Sequence, residues 1–164
     1  MVDTTVLYWK VQWNASQLSQ IDKVCEFEGE RNHITTLELW VLVVNFLLFG
    51  NIPVLGGGGR CHELEFMVDN SAADVMVAKL RTKRSSKANK LLKNLILIQQ
   101  RYASTCSSVI KSCWLERDLN QEADDLSKNN ISNFEASVRQ DRPGKLLTFE
   151  EVKVPQEAFD WIFN

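Results

Sequence analysis

Three carboxylates stand where chain geometry could bring them to one cleft. Glu38 falls in the expected first turn of an apolar helix, Asp69 closes an alternating segment, and Asp124 opens the last acidic helix. Strand ends and helix starts are where open sheets gather their ligands, so the three can share a face. Clustered carboxylates repel, and burying them unpaired is costly. A divalent cation relieves that repulsion, and hard oxygen donors with water in the remaining positions suit Mg2+ or Mn2+. Two such ions about 4 Å apart would activate a water and stabilise the leaving oxygen of a phosphodiester. The competing reading of each acid is a solvated cap.

Other residue types narrow the chemistry. The basic run Lys79, Arg81, Lys83, Arg84, Lys87, Lys90 and Lys93 lies between two expected helices. It is either a solvated helix face or a set of phosphate contacts, which position a nucleic acid without reading its sequence. His33 and His62 have no partner at ligand spacing and read as structural. Cys25, Cys61, Cys106 and Cys113 lack the C-x-x-C spacing of a zinc site or redox pair. The run 56–59 of glycines lacks the Lys-Ser/Thr of a phosphate loop. No motif supports Ser/His/Asp or Cys/His nucleophilic chemistry.

The 164 residues suit one folded core, and 45% hydrophobic with 24% charged residues is ordinary globular composition. A net charge of −2 argues against a protein that coats nucleic acid over its whole surface. It allows a basic patch beside an acidic site. The N-terminus carries no secretory pattern, so the cysteines are expected reduced and the protein intracellular, in cytoplasm or nucleus. The apolar stretch 37–50 is too short for a bilayer, contains Glu38, and reads as a buried helix.

These acids need elements to hold them. Alternation at 6–13 predicts a strand, and a weaker alternation at 21–27 a second, the two forming a hairpin around 14–20. Thr35 or Thr36 would cap the apolar helix. Residues 62–69 alternate as a strand, 72–80 and 87–102 have helical spacing, 109–115 is a further strand, and 120–128 a helix. Leu91, Leu92, Leu95 and Ile98 fall on one face of the second of these helices. Trp9, Trp13 and Trp40 are expected in the core. The order predicts an α/β or α+β domain with a central mixed sheet flanked by helices. Residues 129–164 read as a C-terminal extension ending in the apolar cluster Phe159, Trp161, Ile162 and Phe163.

The sequence W-L-E-R-D-L-N-Q-E-A-D-D-L-S-K, from Trp114 to Lys128, resembles the closing motif of ribonuclease H domains in retroelement reverse transcriptases. In those domains W-x-P-R-x-x-N-x-x-A-D-x-L-S-R/K is typical, and tyrosine-recombinase retrotransposons carry similar examples. Val68-Asp69-Asn70-Ser71-Ala72-Ala73 resembles the family's T-D-N-x-A-A strand end. Ile34-Thr35-Thr36-Leu37-Glu38-Leu39 resembles its helix-opening glutamate motif, and 152–163 is similar to the segment after its last helix. The resemblance runs through nearly the whole chain in the family's order.

What the resemblance implies is a ribonuclease H-like domain at 1–128, hydrolysing the RNA strand of RNA–DNA hybrids with two Mg2+ or Mn2+ ions. It implies ligand and catalytic roles for Asp3, Glu38, Asp69 and Asp124, with Asp125 set aside because the acid follows the alanine directly. Asn70, Arg81, Lys83, Arg84, Lys87 and Arg117 become the expected nucleic-acid contacts, Asn70 toward the minor groove where 2′-hydroxyls mark RNA. A polymerase domain of a parent element is an implied partner, and no membrane is. The chain departs from the pattern at three points. Only Met1 and Val2 precede Asp3, so the first strand is expected to be truncated. Val6-Leu7-Tyr8 replaces the glycine-rich turn after that aspartate, and no histidine lies between Trp114 and Asp124, where Arg117 occupies the loop. An inactive remnant that binds nucleic acid or serves a structural role is the alternative.

Overall fold

A computed structural model of the chain describes residues 3–25, 33–50, 63–82, 86–103 and 109–164. In chain order its elements are β1 (Asp3–Tyr8), α1 (Ala15–Cys25), α2 (His33–Phe49), β2 (Glu63–Val68), α3 (Ser71–Lys79), α4 (Ser86–Ala103), β3 (Val109–Trp114), α5 (Gln121–Ser127), α6 (Ile131–Asp141), β4 (Leu146–Glu151) and α7 (Gln156–Phe163). A 3-10 turn, Arg117–Leu119, precedes α5. The protein is thus mixed α/β. The glycine run and both His62 and Cys61 lie outside the described residues.

The helix α2 is apolar on all sides, as a helix surrounded by protein must be. It buries Leu39, Trp40, Leu42, Val43, Val44, Phe46 and Leu47 and packs against α4, α3, α1 and β2. From α4 it receives Ala88, Leu91, Leu92, Leu95 and Ile98, each no more than 1% exposed, which is the face expected from their spacing. From the C-terminal segment it receives Ala158 and Ile162, with Phe159, Trp161 and Phe163 partly buried beside them. Trp40 sits at the junction. Its ring meets Trp9, Trp13 and Phe159, and its Nε1 donates to the Ala158 carbonyl at 2.6 Å.

The strands depart from the expected central mixed sheet. Among the described residues they form two separate two-stranded parallel sheets, β1 with β4 and β2 with β3. Asp3 pairs with Leu146 and Tyr8 with Glu151; Glu63 pairs with Val109 and Val68 with Trp114. The alternation at 6–13 continues past the strand. β1 ends at Tyr8, and Trp9, Val11 and Trp13 wedge into the main core instead of a ladder, Trp9 held by its Nε1 donating to Asn45 Oδ1 at 2.7 Å. Within β1, Val6 and Tyr8 face a second, smaller core of Phe134, Val138 and Leu147. There Arg139 stacks over Phe149 at 4.6 Å.

Of the strand expected at 21–27, residues 21–25 belong instead to the helix α1 and 26–27 lie outside the described residues, so the expected hairpin does not form. The start of α1 is fixed by a reciprocal cap: Gln17 N–H donates to Asn14 Oδ1 at 2.8 Å and Asn14 N–H to Gln17 Oε1 at 3.0 Å. The helix α2 also opens earlier than expected, at His33, so Thr35 and Thr36 lie inside it and Thr36 is buried. Glu38 therefore sits in the second turn, not the first. Among the described residues no helix is long and apolar enough to cross a membrane.

Asn70 opens α3. Its Oδ1 accepts from the amides of Ala72 and Ala73, both at 3.1 Å, satisfying two donors that the first helical turn leaves open. Asn70→Ala should lower stability by about 1 kcal/mol, while Asn70→Ser keeps most of it. Urea unfolding of the two variants checks this.

Candidate acidic site

Parallel pairing decides which acids meet. β2 and β3 leave their sheet at the same end, and the ladder continues one step further with Leu115 N–H donating to the Val68 carbonyl at 2.9 Å. Asp69 follows Val68 directly, and Arg117 follows Leu115 by two residues, so the two are delivered side by side. Arg117 Nε donates to Asp69 Oδ2 at 3.3 Å. The guanidinium side chain is 84% exposed and the aspartate side chain 16%.

Glu38 comes to the same place from α2. It lines a cleft of about 700 Å³ whose walls include Tyr8, Trp9, Leu115, Asn120 and Glu122. Burial pushes the Glu38 carboxyl above the usual range, the negative charge of Asp69 pushes it further, and Arg117 partly offsets both. Asp69 and Arg117 are thus close enough to Glu38 to act on its charge, though Glu38 lines the cleft and they do not.

Asp124 does not join them. The residues of α5 that line the cleft are Glu122, Ala123, Leu126 and Ser127, one helical face, and Asp124 is not among them. Its carboxylate takes Lys128 Nζ at 2.5 Å, one helical turn on. That bond and the carboxylate's charge raise the Lys128 ammonium. Asp125 is buried and accepts from Asn130 Nδ2 at 3.4 Å, tying α5 to the turn before α6. Asp3 opens β1, about 10 Å of extended chain before Val6, the first cleft-lining residue of that strand, and its side chain lies outside the described parts.

The expected nucleic-acid contacts separate likewise. Arg81 is exposed just beyond α3, whereas Lys87 is buried in the first turn of α4 and so is not presented to a phosphate. Asn70 is the α3 cap and Arg117 holds Asp69. Lys83 and Arg84 lie outside the described residues. Sequence reasoning passed over Glu122, which lines the cleft with its Oε1 buried and, among the described residues, without a hydrogen-bond partner. Its signal was its place on the face of α5 that carries Ala123 and Leu126.

No protein-family model matches the chain, and neither a curated protein nor a solved structure shows a significant match. The site rests on its own geometry.

That geometry bears on the divalent ions implied above. Among the described residues no group of three or more His, Cys, Asp or Glu side chains is placed to hold a metal ion. A two-ion centre does not fit the described side chains. Glu38 and Asp69 are the two hard oxygen donors that a single cation would have to share, and the charge of Asp69 adds to burial in raising the Glu38 carboxyl. The raised carboxyl also sets a pH dependence. Because the folded Glu38 holds its proton more tightly than the unfolded one, its stabilising effect is complete below the ordinary glutamate range. It is lost as pH rises through the raised value. Glu38→Gln should therefore raise the metal-free melting temperature at pH 7 by about 2–4 °C, the response of a domain this size to about 1 kcal/mol. At pH 4 the two proteins should melt together; scanning calorimetry at both pH values decides.

Proposed function

We propose that the chain is a ribonuclease H-type domain of retroelement origin that cleaves the RNA strand of RNA–DNA hybrids, with Glu38 and Asp69 as its cation-binding pair. What supports the reading is that Glu38 lines a cleft and that the Asp69 charge reaches the Glu38 carboxyl and raises it. A divalent cation, when bound there, supplies Lewis-acid polarisation of a phosphodiester. Glu38 and Asp69 supply the negative charge that selects a cation, and Arg81, exposed beyond the far end of α3, is a candidate phosphate contact. The apolar cleft wall of Tyr8, Trp9 and Leu115 limits water around Glu38.

One observation favours a second reading, a domain that binds hybrid without cutting it: Asp124 is engaged by Lys128 and does not line the cleft. Incubation in Mg2+ with end-labelled hybrid, duplex RNA and duplex DNA separates the readings. Cutting confined to the RNA of the hybrid supports the nuclease. Retention of intact hybrid in a gel-shift lane supports the second reading, and cutting of duplex DNA contradicts both.

A further inference from the structure

We infer that the segment Trp9–Trp13 is a hinge strap whose two exposed polar bonds hold a smaller body against the main core and set how far the cleft between them opens. The inference goes beyond the proposed cation pair and does not depend on it. Two observations carry it, and the first is that the apolar side chains separate into two cores. Phe134, Val138 and Leu147, with Val6, Tyr8, Leu126 and Phe149 against them, share no residue with the core around α2. Among the described residues no closely packed pair of helices or strands spans the two groups. The cleft lies where they fail to merge. Val6, Leu126 and Val138 line it from the smaller group, and Leu37, Trp40 and Val41 from the larger. A body with its own core, set across a cleft from the rest, moves by rotation about the segments that join them. The chain crosses between the groups at 9–14, 115–120 and 152–155.

The second observation is that the first of these crossings serves both bodies. Trp9, Val11 and Trp13 pack against the main core, Trp9 and Trp13 on the ring of Trp40. The residues between them reach the smaller body instead. Lys10 Nζ donates to Asn129 Oδ1, and Gln12 Nε2 donates to the Ser127 carbonyl at 3.2 Å, at the end of α5 and in the turn that follows it. Both bonds are exposed, and water replaces such bonds at little net cost. The strap therefore stays with the main core when the smaller body swings away. A ligand that touches both walls of the cleft favours the closed arrangement, and release of the two bonds favours the open one.

The test is the binding of anilinonaphthalene sulfonate, a dye that brightens on apolar walls, to the full chain and to the double variant Gln12→Ala with Asn129→Gly. Neither residue lines the cleft, so its walls are left intact. Asn129 has a φ of 59°, in the left-handed region, which glycine adopts without strain. Releasing both bonds should raise dye emission about threefold as the open population grows. Far- and near-ultraviolet circular dichroism should stay as they are, because the secondary structure and the cluster of Trp9, Trp13 and Trp40 are untouched. Gln156→Ala, which removes an exposed bond to Asp160 within α7, should leave the emission unchanged. Unchanged emission from the double variant overturns the inference. So does a rise accompanied by loss of either dichroism signal, which marks unfolding in place of a swing, and so does an equal rise in Gln156→Ala.

Discussion

Trp40→Ala should remove about 3–5 kcal/mol of folding stability, the largest loss expected from any single side chain here. Trp40 is 1% exposed and joins three parts of the chain that are far apart in sequence: the segment after β1 through Trp9 and Trp13, α2 itself, and α7 through Phe159 and Ala158. Ring centroids lie 5.2–5.9 Å apart, the range in which tilted and edge-on aromatic pairs attract. Truncation leaves a cavity that these flat neighbours fill poorly, and it removes the indole N–H from the Ala158 carbonyl. Against a total of about 5–15 kcal/mol, the loss moves the protein close to its unfolding threshold. Urea denaturation should give a markedly lower midpoint with an unchanged slope. Trp40→Phe keeps most of the ring but not the N–H, and should fall between the two. A midpoint for Trp40→Ala within about 1 kcal/mol of the unaltered chain would mean that α7 does not dock on α2.

Asp69→Asn should reduce hybrid cleavage by roughly 10³-fold, which corresponds to about 4 kcal/mol of transition-state stabilisation. The substitution keeps the shape and removes one of the two charges that would hold a cation. It also relieves the Glu38 carboxyl of a negative charge that raises it, so the metal-free fold should be as stable or slightly more so. Loss of activity with retained or increased stability is the signature of a ligand; loss of both is the signature of a structural residue. Steady-state rates on a labelled hybrid, set beside melting curves of the same samples, distinguish them.

The half of the chain from β2 to α5 was legible in the sequence because its signals are local and strong. Leu91, Leu92, Leu95 and Ile98 repeat at helical spacing over a long element, and Glu65 to Val68 alternate cleanly before Asp69 and its Asn70 cap. The helix α1 was read as a weak strand although Ile21, Val24 and Phe27 break strict alternation and repeat at helical spacing; the decisive signal was the reciprocal cap of Asn14 and Gln17 just upstream. The strand β4 gave little to read. Of Leu146–Glu151 only Leu147 is buried and Phe149 half-buried, and its partner β1 lies 143 residues earlier, as the Thr5–Thr148 hydroxyl contact marks. With β4 unseen, the sheet order could not be written correctly.

At the site, Glu38 and Asp69 could be singled out because each stands on a local signal, an apolar helix and the end of an alternating strand, and the Asp69 charge does reach Glu38. Asp124 was harder, since its position on α5 does not say which face it takes. The residue that decides it, Lys128, stands four positions on, where an acid and a base pair along a helix. Glu122 takes the face that Asp124 was expected to occupy.

The central claim is that Glu38 and Asp69 form a cation site, and calorimetric titration of Mg2+ into the unaltered chain, Asp69→Asn and Glu38→Gln tests it most directly. The account predicts saturable binding of one ion to the unaltered chain, abolished by Asp69→Asn and strongly weakened by Glu38→Gln. Binding that survives both substitutions unchanged, or no binding to the unaltered chain, would contradict it.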